Sequence, residues 1–223
     1  MPAPTGVRDT FQDVTEILSK LIERGLASDQ NFPAVKQHSE TTWEVTFDGA
    51  QHVSFGLGVV DYAELYEELS GRRVYSVKLI DGAIVQMMYT FDGDALIKHR
   101  LAYYPAVTLR SFQEVPDDYM EDQTFTDIVG RHIVPFPIRF DFDRASARDM
   151  HHPHSHLTLG DALGCRIPVS SGVTPRWFTE FVLRNFYQTD VHDFVSHLPR
   201  HRFSFAETIT ANERRIMHMV VPA

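Results

Sequence analysis

Cysteine is nearly absent from this sequence, because Cys165 is the only one among 223 residues. A single thiol excludes a disulfide within the chain and a zinc site built on several cysteines. Long apolar runs are also missing, since no stretch reaches the roughly 18 apolar residues that suggest a membrane-spanning helix. Residues 1–6 contain neither a basic segment nor an apolar segment typical of secretory signals. We therefore expect a cytoplasmic protein with no membrane partner.

Positive charge is scarce, and the formal net charge at pH 7 is -9. Such a balance weighs against non-specific binding to nucleic acid or to an anionic membrane, which a cationic surface would drive. Glycine-rich signatures for phosphates and dinucleotides are missing, because Gly56 and Gly58 lack the third glycine and the strand–helix context. We expect no cofactor. Hydrophobic residues make up 43% of the chain, which is ordinary for a globular protein and predicts one domain over residues 1–223.

Residues 137–143 and 150–160 together combine an arginine, two aspartates and four histidines in a short stretch. Alternation along a strand at residues 138–143 places three apolar side chains on one face and three charged ones, Arg139, Asp141 and Asp143, on the other. The same alternation at residues 154–158 places His154, His156 and Thr158 on one face. If the two strands pair, the arginine, aspartate and histidine side chains form a polar patch on one face of an otherwise apolar sheet.

The clearest architecture precedes this stretch, where residues 74–80, 83–91 and 95–104 alternate as strands. Asp81-Gly82 and Asp92-Gly93 separate them, and aspartate–glycine pairs favour tight hairpin turns. The pattern predicts an α+β fold, in which a twisted antiparallel sheet built on this meander packs against helices over residues 10–24 and 174–188.

Other patterns complete the predicted elements. Thr10 is the predicted N-cap of the first helix, and Thr174-Pro175 strongly indicates the start of the last helix. Other expected elements are a strand over residues 42–48 with a partner at 52–55, helices at 61–69 and 118–128, a strand at 165–169, and a final hairpin of residues 202–209 with 214–221, whose second half could equally be helical.

Metal-free cleavage of a phosphodiester needs a base, an acid and a cation near the developing charge, and histidine and arginine can supply all three. The candidate catalytic residues are Arg139, Asp141, His152, His154 and His156. Arg139 would stabilise charge, His154 and His156 would share the base and acid roles, and Asp141 could orient an imidazole. His156 is expected to be partly exposed in a cleft, near Arg139 or another histidine.

Several alternatives use the same residues. Arg139 and Asp141 could form a cross-strand ion pair while the histidines line a turn, or His154 and His156 could chelate a metal ion. A histidine followed two residues later by a hydroxyl occurs at His52–Ser54 and His156–Thr158, which resembles the paired motifs of two-histidine phosphoesterases. Cys165 could be a nucleophile, but its neighbours favour a small buried residue.

Four motifs carry a resemblance to a known family: Arg139–Asp141 (RFD), His152–Leu157 (HPHSHL), Cys165–Pro168 (CRIP) and Trp177–Tyr187 (WFTEFVLRNFY). Together they resemble an uncharacterised bacterial family catalogued as a domain of unknown function, and the likeness spans most of the chain. More distantly, the meander, the Arg-x-Asp strand and the histidine-rich turn look like the TumE-type ribonuclease toxins of bacterial toxin–antitoxin pairs.

The resemblance to TumE-type toxins implies a substrate class for the catalytic hypothesis. The leading hypothesis is a metal-independent phosphodiesterase or ribonuclease of a bacterial toxin–antitoxin or anti-phage defence system, acting on RNA or a cyclic phosphodiester. A protein partner, either an antitoxin or a defence subunit, is expected. The alternative is a non-enzymatic protein-binding module within a defence complex, which the acidic composition favours.

Overall fold

The computed structural model describes residues 2–50, 61–107, 136–160 and 164–222, with the isolated residues Asp117, Met120, Thr124 and Thr126. The predicted strand at residues 52–55, with His52 and Ser54, lies outside the described residues. Most of the predicted helix at residues 118–128 also does, although the three isolated residues within that range are helical.

All nine strands in the described part of the chain belong to one antiparallel sheet. The order β1-β4-β5-β6-β7-β8-β9 is joined by β3, which pairs with β5, and by β2, which pairs with β3. The strands are β1 (Ala27–Gln30), β2 (Ala34–Gln37), β3 (Thr42–Thr46), β4 (Val77–Leu79), β5 (Ile84–Asp92), β6 (Ala95–Tyr104), β7 (Ile138–Asp143), β8 (Ser155–Leu159) and β9 (Ile167–Pro168). The α+β fold and the central meander β4–β6 are confirmed.

Helices cover the two faces of the sheet unequally. Helices α1 (Thr5–Glu23) and α3 (Pro175–Val182) pack on one face, against side chains such as Leu101, Phe140 and Leu157. Helix α2 (Tyr62–Gly71) packs on the opposite face, where Ile84, Ala102 and Tyr104 complete a smaller core. Because strand side chains alternate, the part of that second face beyond α2 can carry polar residues without disturbing the main core.

Helix α2 starts close to its predicted start, and Asp61 is its N-cap, since the Asp61 carboxylate accepts a hydrogen bond from Ala63 N at 2.9 Å. Helix α3 likewise begins at Thr174-Pro175, and a π-helical turn continues it through Leu183–Tyr187.

The predicted start of helix α1 and the predicted final hairpin were both wrong. Helix α1 begins at Thr5, with Pro4 as its N-cap, and Thr10 is a fully buried residue inside the helix. The final hairpin does not form, because Glu207 bridges Ser171 and Met219 bridges Val169, while residues 213–215 make a 3-10 turn. A pairing partner already present at residues 169–171 therefore replaces the local hairpin.

Candidate functional site

The centre of the candidate site is a row of three charged or titratable side chains on neighbouring strands. Arg100 on β6 is the register partner of Asp141 on β7, and Asp141 is the register partner of His156 on β8. Arg139 lies two residues before Asp141, opposite Thr158 on β8. Residues in register lie on the same face, so the sheet brings these five side chains together on the polar face beyond α2.

Asp141 lies between the two arginines. Arg100 Nε donates a long hydrogen bond of 3.4 Å to Asp141 Oδ1, and Arg139 Nε lies 3.7 Å from Asp141 Oδ2. Arg139 Nε is buried and has no hydrogen-bond partner within the described residues. One carboxylate therefore faces two guanidinium groups, and these three side chains together carry a charge of +1.

The hydrogen bond of His156 fixes which nitrogen holds its proton. His156 Nδ1 lies 3.1 Å from the carbonyl oxygen of Pro153, which can only accept a hydrogen bond. Nδ1 therefore carries the hydrogen, and Nε2 has the free electron pair in the neutral ring. Burial lowers the pKa of His156 below 6.5, although the nearby Asp141 carboxylate opposes this shift. The ring is consequently neutral at pH 7 and has the form of a base.

The two other candidate histidines make different contacts. The His152 ring meets the His156 ring edge to face, with centroids 4.8 Å apart. The His154 ring lies 6.4 Å from that of Phe142, and the His154 carbonyl accepts a hydrogen bond from Asp143 N. His152 is therefore the histidine partner of His156.

Three details differ from the expectations. His156 is 4% exposed, so the expected partial exposure was wrong, although its proximity to another histidine was right. Arg139 and Asp141 share one strand, so the cross-strand ion pair of Asp141 is with Arg100. Cys165 lies before β9 and is half-buried rather than buried. Each difference depends on strand register and on packing above the sheet, which alternation within one strand does not specify.

Arg100 is the site residue that the strand patterns of residues 137–160 missed. The signal was present in β6, where Lys98 and Arg100 alternate with His99, Leu101 and Tyr103 and so belong to the polar face. No hydrogen bond joins Asp141 to an imidazole within the described residues. The Asp141 carboxylate instead pairs with Arg100, at its register position across the strands.

The residues that the structure describes include no group of three or more histidine, cysteine, aspartate or glutamate side chains arranged to hold a metal ion. Within those residues, no helix combines the length and the apolar character needed to cross a membrane.

A family model described as "Uncharacterized conserved protein (DUF2290)" matches residues 26–221. The chain belongs to the DUF2290 family. The resemblance to an uncharacterised family is thereby confirmed, and the match includes every strand from β1 to β9 and the whole candidate site. No curated protein and no solved structure matches the chain, so the likeness of this DUF2290 member to TumE-type toxins stays a prediction.

Proposed function

We propose that the polar face of the sheet is the catalytic site of a metal-independent phosphodiesterase or ribonuclease. The observation that carries the proposal is the row Arg100–Asp141–His156, with Arg139 beside it. It combines a neutral imidazole with two guanidinium groups on adjacent rigid strands. Sites built on strands hold their side chains more exactly in place than sites built on loops.

His156 is the proposed general base. Its hydrogen bond to Pro153 leaves Nε2 free to accept a proton, and its lowered pKa keeps the ring neutral. A base in this form can take the proton of a ribose hydroxyl or of a water molecule attacking phosphorus. His152 is the proposed acid, because its ring contacts that of His156 and it is less deeply buried.

Arg139 and Arg100 are the proposed electrostatic stabilisers. Planar guanidinium groups match the paired oxygens of a phosphate, and a partly dry environment strengthens the attraction. The Arg139 and Arg100 side chains are 15% and 28% exposed, and the Arg139 Nε donor has no partner in the described residues. Asp141 sets the separation of the two arginines and offsets part of their charge.

The proposed substrate is RNA or a cyclic phosphodiester, and the proposed setting is a bacterial toxin–antitoxin or anti-phage defence system. The setting is based on the likeness of the meander, the Arg-x-Asp strand and the histidine-rich turn to TumE-type toxins. In such a system an antitoxin or defence subunit would be the protein partner.

Replacing the base tests the proposal directly. We expect His156→Gln to lower the rate of phosphodiester cleavage by about 100-fold or more, the usual scale for a lost acid or base. Wild type and variant are assayed on single-stranded RNA and on cyclic dinucleotides, with and without a chelator. The matched control is His38→Gln, because His38 is an exposed histidine that pairs with Glu44.

Thermal melting of each protein accompanies the assay. The proposal predicts cooperative melting of all three proteins and a selective loss of cleavage in His156→Gln. Unchanged cleavage in that variant, or no cleavage by wild type on any substrate, would overturn it.

A protein-binding module is the second candidate function, and a specific surface favours it. Three apolar side chains near the C-terminus are exposed, with Ile216 at 44%, Met217 at 92% and Val220 at 64%. Exposed apolar side chains that lie close together are a common feature of protein contacts. Absence of cleavage by wild type, together with loss of partner binding in Met217→Asp, would support this function over the first.

A further inference from the structure

The loop that carries His152, residues 148–152, forms hydrogen bonds with residues 210–213 of the C-terminal segment. Asp149 Oδ1 accepts a hydrogen bond from the Thr210 hydroxyl at 2.5 Å, and Asp149 Oδ2 accepts one from Asn212 Nδ2 at 2.6 Å. Here the loop is the acceptor, whereas in a third bond it is the donor: Met150 N donates a longer hydrogen bond of 3.4 Å to Glu213 Oε1. The loop and the segment therefore hold each other through two adjacent loop residues.

Glu213 is fixed in place by a second motif. Glu213 N donates to Thr210 Oγ1 at 3.1 Å, and Thr210 N donates to Glu213 Oε2 at 3.0 Å. This reciprocal pair has the pattern of a capping box, and its second residue is the first residue of the 3-10 turn Glu213–Arg215. Glu213 is only 1% exposed. Both of its carboxylate oxygens accept hydrogen bonds, one from Met150 N and one from Thr210 N.

The loop needs such support because its backbone is strained. Met150 has a φ of 63°, in the left-handed region that residues other than glycine seldom adopt. It lies in a tight turn closed by Arg148 N to His152 O at 2.8 Å and by His152 N to Arg148 O at 2.7 Å. A strained residue persists only where its surroundings hold it, and such positions often lie beside functional groups.

We propose that Glu213 and Asp149 are positioning residues, which hold the strained turn so that the His152 ring stays against the His156 ring. Their role in catalysis depends on the function proposed above. Neither carboxylate touches the two rings, so both act through the backbone of residues 148–152. The C-terminal segment thereby becomes part of the machinery of the site.

The test observes the two histidine rings directly. Wild type, Glu213→Gln and Asp149→Asn are labelled at the histidine ring carbons, and their NMR signals are assigned with His152→Gln and His156→Gln. Glutamine keeps one acceptor oxygen and cannot accept from both Thr210 N and Met150 N, so the turn should shift. We expect the signals of both rings to move in each variant, because ring-current shifts depend on the distance and angle between neighbouring rings.

The control is Glu207→Gln, since the Glu207 carboxylate pairs with Arg214 at an exposed position and the bridge from Glu207 to Ser171 uses the backbone alone. Its signals for His152 and His156 should match those of wild type. If cleavage occurs in wild type, the rate in Asp149→Asn should fall by about 100-fold, the scale for a small misplacement of a catalytic group. The Asp149→Asn side chain has one acceptor oxygen instead of two. Asp149 is exposed, so we expect this variant to fold as wild type does.

The outcomes separate this proposal from the proposed function. Lower melting temperatures with unchanged ring signals would show that the two carboxylates only stabilise the fold, and would overturn the inference. Moved ring signals in a protein whose wild type cleaves nothing would uphold the positioning and refute the catalytic role of the site.

Discussion

Asp141 shows how a single residue changes its meaning when its neighbours are known. In sequence it was a candidate partner for an imidazole, but its oxygens face Arg100 and Arg139. Removing this carboxylate would leave two guanidinium groups close together in a partly buried position. The negative charge of Asp141 therefore stabilises two guanidinium groups on one face of the sheet. It affects His156 only through a coulombic interaction, which raises the pKa of the ring.

His99 illustrates a histidine with a purely structural role. It is buried on the face opposite the candidate site, and His99 Nε2 accepts a hydrogen bond from Val173 N at 3.0 Å. Burial lowers the pKa of His99 from 6.5 to about 4. The folded protein therefore binds this proton less tightly than the unfolded chain does, so stability rises with pH between about 4 and 6.5.

We predict that His99→Gln removes this contribution, so the variant lacks the rise in stability that His99 causes between about pH 4 and 6.5. The shift in pKa corresponds to about 3 kcal/mol of unfolding free energy, lost as pH falls through the window. Urea unfolding at pH 4.5, 5.5 and 7 measures the slope, and glutamine can still accept the Val173 hydrogen bond. A pH dependence of stability in the variant that equals that of wild type would contradict the assignment.

At the scale of elements, helix α3 supports the strand that carries Arg139 and Asp141. The Phe178 ring packs edge-on against Phe140 of β7, with centroids 6.0 Å apart. The first turn of α3 is held by Thr174 Oγ1, which accepts from Trp177 N at 3.3 Å, and by Asp13 Oδ2 of α1, which accepts from Arg176 N at 3.2 Å. Helix α1 thus contributes to the start of α3.

The cap of α3 yields a second stability prediction. We expect Thr174→Ala to lower the unfolding free energy by about 1 kcal/mol, since a free N–H group remains at the start of the helix. Ser19→Ala is the control, because the Ser19 hydroxyl only bonds the Thr15 carbonyl within α1. Equal losses in the two variants would show that the Thr174 cap has no special role.

At the scale of the whole molecule, two buried groups oppose each other as pH changes. Burial raises the pKa of Asp13 from 3.8 to about 6, because the bonds and charges of Arg176 and Arg202 only partly offset the loss of water. The folded protein binds this proton more tightly than the unfolded chain does. The contribution of Asp13 to stability is therefore full below pH 3.8 and is lost as pH rises to about 6.

Between pH 4 and 6 the contributions of Asp13 and His99 to stability have opposite slopes, so they partly cancel in wild type. We predict that Asp13→Asn makes stability rise more steeply with pH in this range than in wild type, since the falling contribution of Asp13 is removed. Asparagine keeps an oxygen for Arg176 N. Urea unfolding at half-unit intervals checks this, and a profile parallel to that of wild type would contradict it.

The sequence by itself determined the local features of this protein. Aspartate–glycine turns and alternating side chains were sufficient for the β4–β6 meander, and Asp61 and Thr174-Pro175 marked the starts of two helices. Alternation along β7 also placed Arg139 and Asp141 on one face. These features depend on residues a few positions apart, whose preferences the backbone expresses directly.

Only the tertiary structure decided which groups meet. Arg100 pairs with Asp141 from 41 residues away, and the Glu213–Met150 bond joins residues 63 positions apart. Strand register sets the first contact and the crossing of the C-terminal segment sets the second. Both arise from packing of the complete sheet, as does the burial that keeps His156 neutral, and no short pattern in the sequence encodes them.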